Sequence, residues 1–328
     1  MAELADKHQL YMQAVQNPRK EVKNIDVIYR TLSSRLLHSI DRTLIHKHRH
    51  AVTLREDFCG TAILCAEWVR SSPLSDRRAY GVDIDPSVIE YANSHVVSNL
   101  NDESLVQLVC GDVLEAGCHS KYELPPVDVI AAFNFALCYF HKRCDLVSYL
   151  KHCYDNLNDF GMLFCDIFGG TESNQSQVNR VRDLGSFKYL FRQHSFDLES
   201  NTVIFSLSFK MKDGSMLKDC FSYRFRIYSL CEIREAMLEA GFDKVSIWIA
   251  TKDNEESDSE GSDSENSDNE SSDKESRDNE NSGSDSDSSG SEKASSREFG
   301  GFTEITSTME MPYSFNAYIV GIKLPKRK

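Results

Sequence analysis

Three short segments carry acids or a glycine where a strand would give way to a helix. They are Leu54-Arg55-Glu56-Asp57-Phe58-Cys59-Gly60-Thr61-Ala62, Gly81-Val82-Asp83-Ile84-Asp85-Pro86 and Cys110-Gly111-Asp112-Val113. In an open α/β sheet, ligands bind outside the carboxyl ends of the strands, near the switch point in strand order. A carboxylate at the second strand end can accept both hydrogen bonds of a ribose diol; Asp83 is the choice and Asp85 the reserve. At the third, Asp112 can accept from an adenine amino group while the backbone N–H of Val113 meets a ring nitrogen. The first segment holds one glycine, Gly60, so the G-x-G-x-x-G loop that cradles a pyrophosphate is absent. Glu56 and Asp57 would also repel phosphates. A ligand with an ammonium and a carboxylate suits this loop, with acids for the former and a helix N-terminus for the latter. Ribose, adenine and a zwitterionic tail together describe S-adenosylmethionine. The missing glycines disfavour a nicotinamide dinucleotide.

The elements that must position these residues follow from periodicity. Residues 50–170 alternate apolar strands with amphipathic helices: strands over Val52–Leu54, Ala79–Ile84, Leu105–Val109, Val127–Phe133 and Gly161–Phe168, with helices between them. Pro86 suits a helix first turn. That rhythm predicts an α/β, doubly wound parallel sheet. Val203–Phe209 and Phe221–Ile227 alternate at period two around Asp213-Gly214, which predicts a hairpin inserted at about 187–228. Lys244–Ala250 and Ala317–Ile322 read as two antiparallel strands of one sheet, joined by a much lengthened loop. The organisation is a helical segment at 1–50, a core at 51–250, an acidic Ser-rich disordered insertion at 251–300, and a last core strand with a basic C-terminus at 301–328.

The three strand ends together resemble the class I S-adenosylmethionine-dependent methyltransferases. More narrowly, the first loop resembles that of a subfamily with an L-R-E-D-F-C-G-T-A sequence. Leu10-Tyr11 with Ala14-Val15-Gln16, Ala131-Ala132-Phe133-Asn134-Phe135, Asp166-Ile167-Phe168-Gly169-Gly170 with Glu172-Ser173, and Ala317-Tyr318-Ile319-Val320-Gly321 resemble it too. The resemblance spans nearly the whole chain outside the acidic tract. It implies a Rossmann-like sheet of the seven-stranded methyltransferase type, an N-terminal helical cap over the cofactor, and transfer of a sulfonium methyl to an undefined acceptor. Class I loops usually read acid-x-G-x-G-x-G; here Phe58 and Ala62 stand at the outer glycine positions, Gly60 at the central one and Glu56 at the acid. Carried over by position, Glu56 and Gly60 would meet the methionine end, Asp83 the ribose, and Asp112 with Val113 the adenine. Tyr11, Arg55, Asp85 and Asn134 complete the implied cofactor set. Asn134 falls where class I enzymes face the transferred methyl, so its amide can orient an acceptor amine or hydroxyl. Tyr139 and Asp166, with Phe135, are the further catalytic candidates, and no general base is assigned.

Composition bounds the alternatives. The 328 residues carry a net charge of −14, but residues 251–300 hold 17 of the 51 acids and only 5 of the 37 bases. The rest is near neutral, so no broad nucleic-acid surface is expected. No apolar run is long enough to span a membrane, and the N-terminus shows no signal-peptide core. Ten cysteines without a C-x-x-C pair fit a reducing compartment, cytoplasmic or nuclear, and the closing Lys323–Lys328 segment is a weak nuclear-type motif. His46-Lys47-His48-Arg49-His50 lacks the spacing of a metal site and reads as a solvated loop. Arg192, Arg224 and Arg226 in the inserted hairpin are candidates to face an acceptor. The acceptor is expected to be a small molecule; a protein acceptor, or a cofactor-binding scaffold that recruits partners through the acidic tract, are the alternatives. Ser followed by acids in that tract suits an acid-directed kinase.

Overall fold

Asp6 opens the first helix, α1 (Lys7–Val15), by accepting from the amides of His8 and Gln9. Asn17 does the same for α2 (Pro18–Ile40) through the Lys20 amide, with Pro18 in the first turn. The chain then alternates through β1 (Thr53–Asp57), α3 (Ile63–Arg70), β2 (Arg78–Asp83), α4 (Pro86–His95), β3 (Val106–Cys110), the short β4 (Ala116–Gly117) and β5 (Tyr122–Glu123), β6 (Val127–Ala132), α5 (Arg143–Asp155) and β7 (Leu157–Gly169). Four antiparallel strands follow: β8 (Asn179–Asp183), β9 (Phe187–Asp197), β10 (Thr202–Met211) and β11 (Met216–Arg226). Then come α6 (Leu230–Ala240), β12 (Lys244–Thr251), β13 (Glu298–Phe299), β14 (Phe302–Glu304) and β15 (Phe315–Ile322). This computed structural model describes residues 2, 5–40, 50–72, 76–251, 298–299 and 301–326. The acidic tract at 252–297 and His46–His48 lie outside the described residues.

The central sheet runs β13-β14-β12-β15-β7-β6-β1-β2-β3. Strands β3, β2, β1, β6 and β7 are mutually parallel. β15 lies antiparallel between β7 and β12. The two strands flanking the acidic tract thus pair as expected, from Lys244 against Ile322 to Thr251 against Phe315. The seven strands from β3 to β12 are the doubly wound sheet read from the sequence; β13 and β14 extend its edge beyond β12 through Trp248 and Ile249. Both faces are covered, which is why β6 is apolar almost throughout: Ile130 and Ala132 pack under α5 and α6, Val129 and Ala131 under α2 and α3.

The inserted hairpin is β10–β11, and β9 and β8 extend it to four strands in the order β11-β10-β9-β8. One residue, His194, is extra where Ile204 and Phe205 face Ser195 and Gln193, a bulge that shifts the alternation along β9. The strand order reverses between β1 and β6, so the switch point lies where the β1 loop meets the end of β6.

Candidate functional site

The loops after β1, β2 and β3 converge on Asp83. Its Oδ2 accepts from the Gly60 amide at 2.8 Å, its Oδ1 from the Asp85 amide at 3.0 Å, and its backbone carbonyl from the Gly111 amide at 2.9 Å. The Cys59 amide donates to the Val82 carbonyl at 3.0 Å. Phe58, Gly60 and Ala62 all lie in the left-handed region, at φ 58°, 52° and 56°. The loop therefore keeps a glycine-type backbone at all three alternate positions although two of them carry side chains. Phe58 is held there by the stacked rings of Tyr149 and Phe140, with centroids 5.7 Å and 6.1 Å from its own. A Cβ on Gly60 would meet nothing within 4 Å, so open space lies above this point of the loop. The Thr61 hydroxyl is buried and has no partner among the described residues.

The acids of the first loop point inward. Glu56 is 4% exposed, and its Oε2 accepts from the Cys65 amide at 3.1 Å. It thereby satisfies a first-turn amide of α3, whose preceding residue, Ala62, offers no cap. Burial pushes its carboxyl up to about 8. Arg55, expected beside the cofactor, is 1% exposed and committed elsewhere. Its guanidinium grips Asp57 with two contacts of 2.9 Å and donates to the Ala116 carbonyl at 3.1 Å. The Tyr149 hydroxyl completes the cluster by donating to Asp57 at 2.9 Å. Arg55 thus clamps β1 to α5 and β4 rather than touching a ligand. Its place in a strand covered on both faces leaves no path to the cleft.

Of the other expected residues, Asp85 caps α4 through Ser87, and Asp112 caps the one-turn helix Val113–Glu115 through Leu114. Asp112 is exposed at the β3 end, with buried Val113 beside it. Asp166 holds the segment after β6: its two oxygens accept from the amides of Asn134 at 3.1 Å and Phe135 at 2.7 Å. Those residues are consecutive left-handed ones, at φ 59° and 63°. Burial raises the Asp166 carboxyl to about 7 against the pull of these amides. Tyr139 is half-exposed and bridges the two regions, 6.2 Å from the Phe58 ring and 4.8 Å from that of Phe225.

Asn134 and Phe135 open onto a cavity of about 820 Å³ between the sheet and the inserted strands. Tyr11, expected in the cofactor set, lines this cavity. Burial pushes its phenol well above the usual value, and holds Tyr189 and Tyr223, both cavity residues, at about 12. All three are neutral near pH 7. Of the arginines expected here, none lines the cavity. Phe191, Gln193, Tyr223 and Phe225 face it, so Arg192 and Arg224 fall on the opposite side at period two. Arg226 donates to the His141 carbonyl at 3.0 Å and lies 4.6 Å from the Tyr228 ring. Arg180 and Arg182 of β8 take their place. Glu21, in the first turn of α2, was also missed. Burial raises it to about 7, and its charge pushes up both Glu56 and Asp166. Its position in a solvated-looking Arg19-Lys20-Glu21 run gave no signal.

No family model and no curated protein matches the chain. Solved structures match its fold. An S-adenosylmethionine-dependent methyltransferase from Clostridium acetobutylicum ATCC 824 is similar with a TM-score of 0.57 at 13% identity, over 96% of this chain and 97% of that one. DesVI of Streptomyces venezuelae matches with a TM-score of 0.54 at 12% identity, over 73% and 89%. CalS10, an amino pentose methyltransferase from Micromonospora echinaspora in its S-adenosylmethionine-bound form, matches with a TM-score of 0.52 at 13% identity, over 74% and 90%. At such identities the likeness is one of architecture, and the chain has the Rossmann-like fold of the class I methyltransferases.

Proposed function

We propose that this chain binds S-adenosylmethionine where the ends of β1, β2 and β3 meet and transfers its methyl group to a small molecule seated in the adjoining cavity. The observation that carries this reading is the convergence of three strand-end loops on Asp83, the β1 and β2 loops through its carboxylate and the β3 loop through its backbone carbonyl. The residues present fit the cofactor. Each Asp83 oxygen has a lone pair left for a ribose hydroxyl beyond the amide it accepts. Asp112 at the β3 end suits an adenine amino group. The space above Gly60 and the unpartnered Thr61 hydroxyl suit the methionine end. Glu56 and the Arg55–Asp57 pair support this loop from beneath.

Held there by Asp83, Asp112 and the Gly60 loop, S-adenosylmethionine would supply an electrophilic sulfonium methyl to an acceptor lone pair. The protein's contribution is alignment, which can supply about 7–11 kcal/mol in favourable cases. Asn134, fixed by Asp166, stands at the mouth of the cavity and can hydrogen-bond an acceptor amine or hydroxyl. The neutral tyrosines can hydrogen-bond an acceptor, and Asp166 acts on it only through the Asn134 and Phe135 backbone it holds. A cavity of about 820 Å³ is the size of a small-molecule site. The amino pentose methyltransferase CalS10 has a related fold, which further supports an acceptor of that size.

Calorimetry of the full chain with S-adenosylhomocysteine tests this reading. A clear isotherm is expected, weakened about tenfold or more in Asp83→Ala, or about 1.4 kcal/mol. Absence of binding to the unaltered protein rejects it.

A further inference from the structure

The cavity walls are aromatic. Phe168, Tyr189, Phe191, Phe205, Tyr223 and Phe225 line it, and Phe205 packs at 5.1 Å against Phe191, 5.1 Å against Tyr223 and 5.2 Å against Phe225. Among the described lining residues only Glu172, Arg180 and Arg182 carry charge near pH 7. Glu172 is 8% exposed, and the Arg180 guanidinium pairs with both its oxygens, with Nε 3.3 Å from Oε1. These two charges cancel within the wall. Arg182 is different. It sits across from Tyr189 in the β8–β9 register, with its guanidinium 5.4 Å from that ring, and no carboxylate pairs with it among the described residues. The lining therefore carries one positive charge without a carboxylate partner, on the exposed strand β8 at the edge of a largely aromatic space whose other polar groups are uncharged or mutually paired.

From this arrangement we infer that the acceptor is an aromatic anion: a planar ring system held between the cavity rings, with a carboxylate or similar group on Arg182. The inference rests on the methyltransferase reading for the word acceptor, but not for the binding itself. The packed rings form an aromatic wall against which a planar ligand ring can stack. The guanidinium fork matches a carboxylate and is shielded from water on its Tyr189 side. An aromatic cation would meet like charge at Arg182, with Glu172 already bound to Arg180. A neutral ring would leave Arg182 unmatched.

The test titrates the full chain, with saturating S-adenosylhomocysteine, against three probes of equal shape: 2-naphthoate, 2-naphthalenemethanol and 2-naphthylmethylammonium. Naphthoate is expected to bind about five- to tenfold tighter than the alcohol, the range for a charge-assisted contact that is partly solvated. Arg182→Gln should bring naphthoate down to the level of the alcohol and leave the alcohol unchanged. Arg182→Glu should make the ammonium probe the best of the three. Arg192→Gln, on the opposite face of β9, should change nothing. Equal binding of naphthoate and alcohol, preference of the unaltered protein for the cation, or no binding of any probe overturns the inference. S-adenosylhomocysteine binding, measured by itself, separates that outcome from failure of the methyltransferase reading. Without cofactor binding but with the naphthoate preference, the aromatic-anion site stands and the reaction falls.

Discussion

Glu56→Gln isolates the cost of a buried acid under the candidate cofactor loop. Glu56 is 4% exposed and accepts a single backbone hydrogen bond, from Cys65 at 3.1 Å. Burial, with the negative charges of Glu21 and Asp83 adding to it, raises its carboxyl from 4.5 to about 8. Between those values the folded chain holds a proton that the unfolded chain has lost. Stability from this group is therefore full below about pH 4 and falls as pH rises to about 8, the opposite of a salt-bridged carboxylate. The full linkage of that shift is about 5 kcal/mol at about 1.4 kcal/mol per pH unit. Relaxation around the ionised group and an effective dielectric nearer 20 reduce this to about 2–3 kcal/mol. Glutamine keeps the oxygen that Cys65 needs and cannot ionise. Urea unfolding from pH 4.5 to 8.5 should show the two proteins nearly equal at the acid end. At the alkaline end the variant should be about 2–3 kcal/mol more stable. Asp166, raised to about 7, tilts both curves alike, so the difference reports Glu56 together with its coupling to Glu21. Parallel curves over the whole range would refute the reasoning.

Asp57→Asn leaves the Arg55 guanidinium buried beside a neutral amide and should cost about 3–5 kcal/mol in denaturant unfolding, the scale for breaking a buried pair; Arg55→Met combined with Asp57→Leu should recover much of that loss. Asp166→Asn replaces one acceptor of the Asn134 and Phe135 amides by a donor. Methyl transfer should fall by about tenfold or more, while S-adenosylhomocysteine affinity stays within about twofold, since orientation of the acceptor is lost rather than the cofactor site. Ala62→Gly removes a left-handed alanine and should leave stability level or raise it by about 1 kcal/mol. Phe58→Gly, at a similar φ, should instead cost about 3 kcal/mol or more, because the ring packs against Phe140 and Tyr149; thermal unfolding of the two variants checks the contrast.

The positions of the acids along the chain were legible because strand ends are. Asp83 and Asp112 follow short apolar runs, and Pro86 marks a helix start just after. The pairing of β12 with β15 across the acidic tract was legible for the same reason, since each carries an unbroken apolar run of strand length. The faces of the inserted strands were half legible. The alternation Phe221-Ser222-Tyr223-Arg224-Phe225 already separates aromatic from basic residues and sets Arg224 apart from the cavity. In β9 the bulge at His194 breaks the parity, and nothing local announces it. Arg180 and Arg182 sit on a strand with every side chain exposed, where composition says only that a solvated surface is present.

Local sequence thus settled which segments are strands and helices, in what order they follow, and which acids stand at the strand tips, since hydrophobic period, turn residues and caps act within a few positions. It did not settle where those acids point. Glu56 turns inward to α3, Asp83 ties three loops together, and Asp166 reaches across from β7 to fix two amides after β6. These directions follow from contacts between segments distant in the chain, whose energies exist only once the sheet has assembled and water has left its faces.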